Sequence, residues 1–289
     1  MNTVDTPLPF QDDAAPRAIV HRTRGHAHGP VTRLMSPSDL GLVLKPFVFL
    51  DRIDVANLGD RQVEGFGLHP HSGIATLTWL FEGAANYEDT LGRRGKLRHG
   101  WIEWMHAGRG AWHGGDLGDS LRLRGFQLWV ALPAAAELGA PYSSYIGPDA
   151  LCADGPVTVL LGQHGSAKSP IETPSPINYF SVSLKAGERW TYSPAPGHAV
   201  AWAAVSAGRL RSPWPVAAGE LVAFEEGMKP IHFLADEDTD FVFGSAARHP
   251  HDLKLGHYSV HTTDHALEQG EARIRELGLA LRAEGRIRA

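Results

Sequence analysis

The chain has 289 residues, with 27 Lys or Arg against 32 Asp or Glu, a formal charge of −5. At roughly 150 residues per domain the length suits two domains, and a mildly acidic chain without a basic block is a poor partner for nucleic-acid phosphates. Its one cysteine, Cys152, excludes an intrachain disulfide, a thiolate cluster and a zinc finger.

Met1 to Asp13 carries acids and prolines where a secretory signal needs basic residues and an apolar run. The stretch Leu40 to Leu50 is apolar but short, and Lys45 and Pro46 interrupt it, so it cannot span a bilayer. A soluble cytoplasmic protein is expected, a monomer with no membrane and no direct nucleic-acid partner. Residues 1–17 read as a flexible segment. Frequent Gly and Pro between short apolar runs then predict an all-β architecture. The expected strands are Phe47–Leu50, Ala75–Phe81, Trp101–Met105, Leu123–Ala131, Thr158–Leu161, Tyr179–Leu184, His198–Val205, Glu220–Phe224, Ile231–Leu234 and Asp240–Phe243. Several alternate apolar with polar or small residues, as half-buried strands do. One helix is expected near the end, with Asp264 as N-cap, Leu267, Ile274, Leu277 and Leu281 on one face, and Gly285 as its stop.

A weak internal repeat pairs Leu77–Gly83 and Gly100–Met105 with Ala201–Gly208 and Gly219–Phe224. Each copy reads strand, glycine turn, loop, glycine, strand, as two tandem β-barrels would give. The boundary is expected around Pro141 to Gly155. That gives barrels over 18–145 and 146–262, followed by a helix and tail over 263–289.

Histidine is over-represented, at 16 residues, and it is the commonest metal ligand among side chains. In Gly67-Leu68-His69-Pro70-His71-Ser72-Gly73, an extended backbone points His69 and His71 to one side. His113 follows the glycine-rich turn Ala107–Gly110 and is the expected third partner. Other histidines weigh less: His99 reads as solvated, His198 as structural, and His249-Pro250-His251 as a surface loop. Arg109 is expected to anchor its turn through carbonyls. Of Trp79, Trp101, Trp104, Trp112 and Trp129, most read as wall or core, with one or two lining a pocket.

Residues 65–113 resemble the pirin family of the cupin superfamily. The resemblance lies in His69–Gly73, Thr76–Gly83, Asp89–Gly92, Trp104–Gly110 and Trp112-His113, with Gly256–Thr262 similar to the C-terminal part of bacterial pirin-like proteins. It implies two tandem cupin barrels, a bicupin, with one mononuclear site in the first. It also implies His69, His71 and His113 as metal ligands, and a fourth ligand, a glutamate, at the position where this chain has Gly115. Glu103, His106, Asp116 or water are the candidate replacements. Glu103 and His106 differ by an odd number of positions, so a regular strand turns only one of them inward. The expected cofactor is one divalent transition-metal ion, Fe2+ ahead of Zn2+, Ni2+, Mn2+ or Cu2+. The implied activity is a quercetin 2,3-dioxygenase-type oxidation of a flavonol or other aromatic substrate. The alternatives are a metal-dependent regulator of a protein partner, and a vestigial site.

Overall fold

A computed structural model describes residues 16–55, 67–118, 120 and 122–287. Each of the ten expected strands lies on an observed strand, and the C-terminal helix is present. The chain divides into two compact units, but their ends are exchanged. Of the described residues, one unit holds those of 26–150 together with 249–287, and the other holds 151–248 together with 16–25. The linear partition at 145/146 therefore misplaces both ends. Ile19–Thr23 pairs with Leu221–Phe224 of the second unit. Arg17, expected in a flexible segment, is 2% exposed and donates to the carbonyls of Ala199 and Glu225. The rest of that expected segment, 1–15, lies outside the described residues.

In the 26–150 unit, one sheet runs in the order Tyr142–Ile146, Ile102–His106, Ile74–Asp89, Leu123–Ala131, Phe47–Val55, Val31–Met35, His26–His28. The 16-residue strand Ile74–Asp89 outruns this sheet. Its second half pairs with Arg94–Arg98 and Ala111–Asp116 instead. The change of partner falls at Gly83, with φ +86°, where a Cβ would stand 2.0 Å from the Arg122 carbonyl. Ala111–Asp116 also takes on the short strand His69–His71. That pairing is what assembles the histidines.

The helix Asp264–Ala283 is capped one residue earlier than expected, by Thr263, whose Oγ1 accepts from Ala266 N at 3.1 Å. Its buried face is Ala266, Gly270, Ile274, Gly278 and Leu281. The expected Leu267 and Leu277 are only half-buried, because glycines, not leucines, allow the closest approach. A Cβ on Gly278 would lie 2.8 Å from the Trp112 ring, whose Nε1 donates to Ile274 O at 2.9 Å. Among the described residues, no helix is long and apolar enough to cross a membrane.

The 151–248 unit packs a seven-stranded and a four-stranded sheet. Phe180, Trp190, Tyr192, Phe233, Phe241 and Phe243 fill its interior, ring against ring at centroid separations such as 5.2 Å for Trp190–Phe233 and 4.5 Å for Tyr192–Phe243.

Candidate metal centre

Register brings the three histidines together. His69 stands directly opposite His113 in the antiparallel pair, and His71 follows on the same face. One ligand nitrogen from each lies within 4.8 Å of the others, and no further His, Cys, Asp or Glu among the described residues joins the group. The second nitrogens show which atoms are left to bind. His69 Nδ1 donates to Gly67 O at 2.8 Å, and His113 Nδ1 donates to Glu103 Oε1 at 2.8 Å. Both Nε2 lone pairs therefore point into the cluster. His71 Nε2 lies 3.1 Å from His113 Nε2. Two nitrogens on one ion, at metal–nitrogen lengths of about 2.0–2.1 Å, stand about 2.9 Å apart at a right angle and about 3.4 Å apart at the tetrahedral angle. The observed span falls between these limits, so His71 and His113 fit one transition-metal ion, and a His69 ring nitrogen lies within 4.8 Å of both.

Burial keeps His69 and His71 neutral, as ligands must be. It holds His69 down to about 4, with the neighbouring His113 adding to the effect, and it holds His71 well below the ordinary value.

The glutamate implied for position 115 has no room. A Cβ on Gly115 would stand 1.9 Å from the Asn86 carbonyl oxygen. Of the three candidate side-chain replacements, only Glu103 is at the centre. Asp116 is exposed and bonds Asn86 Nδ2 and Gly118 N, each at 2.7 Å. His106 faces away and stacks on Tyr142 at 4.9 Å. Glu103 sits behind His113, not beside it in the ligand group. Its Oε2 accepts from Thr78 Oγ1 at 2.7 Å, and its Oε1 lies 3.4 Å from Tyr145 Oη. Burial pushes this carboxyl up, but its interaction with His113 and the hydrogen bonds from His113 and Thr78 outweigh it and hold the carboxyl below its usual range. A carboxylate on the far nitrogen fixes the ring and strengthens its donor atom.

The cluster opens on a cavity of about 300 Å3. Its walls include Phe49, Leu80, Leu97, Leu123 and Trp129, with Gln127, Asn86 and the Arg33–Asp51 pair as polar points. Phe49 stacks on Trp129 at 3.9 Å, and Trp129 meets His71 edge-on at 4.7 Å. Arg33 lies over Phe49 at 4.3 Å and grips Asp51 with two bonds of 3.0 and 3.1 Å. Burial pushes the Asp51 carboxyl up in spite of Arg33.

Residues 31–130 match the Pirin family model. Over this stretch the chain is similar to the pirin family. A Pseudomonas aeruginosa relative, provisionally named a quercetin 2,3-dioxygenase, is 36% identical over 170 residues, 54% of this chain and 58% of that one. A Caulobacter vibrioides pirin-like protein is 36% identical over 168 residues, covering 54% and 59%. The match thus spans under two thirds of these relatives. In fold the similarity is wider. The crystal structure of a quercetin 2,3-dioxygenase from Acinetobacter baumannii superposes with a TM-score of 0.80 over 91% of this chain and 98% of that one, at 23% identity. A nickel(II) complex of the Escherichia coli pirin YhhW gives 0.60 at 19% identity, over 80% and 96%. The architecture is a bicupin.

The remaining expected residues divide by position around this site. Of the five tryptophans, Trp129 alone lines the cavity. Arg109 is exposed, and its backbone N–H, not its guanidinium, bonds Gly139 O at 3.0 Å. His198 is buried in the other unit. His249, expected in a surface loop, is buried with its Nε2 3.2 Å from Leu132 O, while His251 is exposed. The Asp89–Gly92 motif is a turn closed by Asp89, whose Oδ1 accepts from Leu91 N and Arg93 N at 2.8 and 2.9 Å. Sequence reading missed Tyr258, Arg33, Asp51 and Gln127 as cavity residues. Of the last three, only Gln127 lies in an expected strand, Leu123–Ala131; Asp51 follows the expected Phe47–Leu50, and the strand Val31–Met35 that carries Arg33 was not expected.

Proposed function

We propose that this protein is a metal-dependent dioxygenase that oxidises an aromatic substrate bearing adjacent oxygen functions, the chemistry of a quercetin 2,3-dioxygenase. The observation that carries the reading is the clustering of three imidazoles, two of which line an aromatic-walled cavity. The names of the Pseudomonas and Acinetobacter relatives point the same way. His69, His71 and His113 would hold one divalent ion, which, when bound, lowers the pKa of a coordinated hydroxyl and presents the substrate to oxygen. Three imidazoles suit Fe2+, Zn2+, Ni2+, Mn2+ or Cu2+, with Fe2+ favoured for oxygen chemistry.

The chain's own residues do the rest. Glu103 holds His113 in the Nδ1–H tautomer and supplies a buried negative charge one ring away from the ion, in the absence of a carboxylate ligand. Glu103 accepts from His113 and Thr78, as Asp51 does from Arg33, but the Glu103 carboxyl is held below its usual range and is the weaker base of the two. Asp51 is the other carboxylate lining the cavity, and burial raises its basicity. Phe49, Trp129 and the leucines exclude water and orient a flat ring.

A non-catalytic regulator would tolerate a filled pocket. Trp112 does not fill it, since its ring turns to the helix, and this favours the enzyme. The test is elemental analysis of untagged protein followed by oxygen uptake on a panel of catechols and flavonols. The expectation is about one metal equivalent and substrate-dependent uptake. Full metal with no uptake on any panel member overturns the enzyme and leaves the regulator.

A further inference from the structure

We infer that Tyr258 sets the size limit of the metal cavity, so that the site takes a one-ring ortho-dihydroxy aromatic in preference to a three-ring flavonol. The inference rests on the reading of the cavity as a substrate site. Residue 258 lies beyond the 31–130 family match, so its role is a property of the C-terminal arm.

Three observations carry it. First, Tyr258 covers the cluster. Its ring centroid lies 5.8 Å from that of His69, 5.9 Å from His71 and 6.3 Å from Trp129. A ring inserted between two others needs carbon contacts of about 3.5–4.0 Å on each side, so about 7–8 Å in all. The gap to Trp129 is too narrow for that. The cavity that remains, about 300 Å3, is at the lower limit for drug-sized ligands.

Second, Tyr258 is the one non-glycine among the described residues with positive φ, at +57°. A bulky side chain in the left-handed region is an outlier that persists only where its surroundings enforce it. It is also 40% exposed, so burial of its ring does not explain the conformation.

Third, the surroundings are built to enforce it. Tyr258 occupies the two-residue turn between the paired strands Lys254–Gly256 and Ser259–His261. Ser259 Oγ lies 2.8 Å from Oγ of Ser72, the residue after His71, and Val260 N donates to Ser72 O at 3.2 Å. Ser72 Oγ is 3.0 Å from His261 Nε2, and His261 Nδ1 is 3.2 Å from Glu137 Oε2. Glu137 also accepts from Thr262 N and Oγ1 at 2.7 and 2.6 Å. The connectivity is that of a serine nucleophile, its base and an orienting acid. Yet Ser72, His261 and Glu137 are only 0%, 1% and 3% exposed, and a Cβ on Gly270 of the covering helix would lie 2.5 Å from both Ser72 Oγ and His261 Nε2. No substrate reaches this serine. The trio is a strut that fixes the hairpin to the strand bearing His69 and His71, and Tyr258 is what it holds in place.

The test is calorimetric titration of anaerobic, zinc-loaded protein with catechol and with quercetin, after elemental analysis of each variant. The parent is expected to bind catechol more tightly than quercetin. Tyr258→Ala should keep its metal and shift the quercetin-to-catechol affinity ratio about tenfold toward quercetin. Tyr258→Phe, with the same outline, should keep the parent's ratio. An unchanged ratio in Tyr258→Ala, or a parent that prefers quercetin, overturns the size limit. A parent that binds neither probe overturns the substrate reading instead. In that case quercetin binding gained by Tyr258→Ala would still support the cover, and no binding in either protein would remove both.

Discussion

The two units put the same kind of architecture to opposite uses. In the 151–248 unit, inward positions of the central strands are Phe180, Ala201, Ala203, Phe241 and Phe243, and aromatic rings fill the interior. In the 26–150 unit the comparable inward positions are Phe49, Asp51, Thr78, Glu103, Gln127 and Trp129, and a cavity remains. Polar groups in that cavity are matched to one another, Arg33 to Asp51 and Glu103 to His113 and Thr78. The unit thereby gives up apolar burial for a chemically equipped space. One unit is all core, and the other spends its core on a site.

The largest effects should separate the two. Phe243→Ala should cost about 3–5 kcal/mol of stability, the usual range for deleting a buried aromatic ring, and leave metal content per folded chain at about one equivalent. His113→Ala should do the reverse, with metal near zero by elemental analysis and a modest change in melting. His198→Ala, in the filled unit, should not change metal content. If His113→Ala retains the parent's metal, the contrast between the units is wrong.

Next in size is Glu103. Loss of an outer carboxylate on a ligating histidine typically weakens metal binding about 10–100-fold, and Glu103→Ala should show that loss in a competition titration with a chelator. Glu103→Gln keeps an acceptor for His113 Nδ1 and should fall between the two. Adding Gly115→Glu to Glu103→Ala should not restore affinity, because Asn86 O occupies the space a side chain needs. Recovery would mean that the strand Ala111–Asp116 yields more easily than its packing implies.

Acid should reveal the centre through the metal-free protein. His69 titrates near 4 in the fold, against about 6.5 in an unfolded chain. Between those values the unfolded state binds more protons, so stability rises with pH and is lost as pH falls from about 6.5 toward 4. His71, also held down by burial, steepens that loss. Metal binds the neutral imidazoles of the folded state, so the loaded protein should melt higher than the metal-free protein across this window. A melting curve insensitive to pH over this window in metal-free protein would show that the histidines are not buried as described.

How much of this was readable in the sequence follows the same division. Alternation placed all ten expected strands because each buries an apolar face. It missed Ala111–Asp116 and Tyr142–Ile146 because AWHGGD and YSSYI carry little apolar signal. The three histidines were legible from one short motif and one turn. The replacement for position 115 was not, since Glu103 reaches His113 through side-chain geometry across strands that are not neighbours in register. The exchanged ends were also hidden, because Ile19–Thr23 alternates equally well for either unit. Nothing near Tyr258 in the chain signals a cavity formed so far upstream.

The smallest expected effect tests whether Tyr258 is held against a local cost. A left-handed conformation costs a residue with a Cβ roughly 1–2 kcal/mol, and glycine escapes it. Alanine and glycine both delete the ring, so Tyr258→Gly against Tyr258→Ala isolates the backbone. Glycine should melt higher by about 2–4 °C, the shift expected for about 1 kcal/mol in a chain of this class. Glycine's extra freedom in the unfolded chain trims the difference, so the lower end is the firmer expectation. Because the ring is absent from both, the two should share the same altered probe selectivity. If alanine melts as high as glycine, the turn relaxes out of φ +57° once the ring is gone. The ring itself, wedged over His69 and His71, would then be what bends the backbone, and the buried strut at Ser72, His261 and Glu137 would anchor the hairpin without dictating its turn.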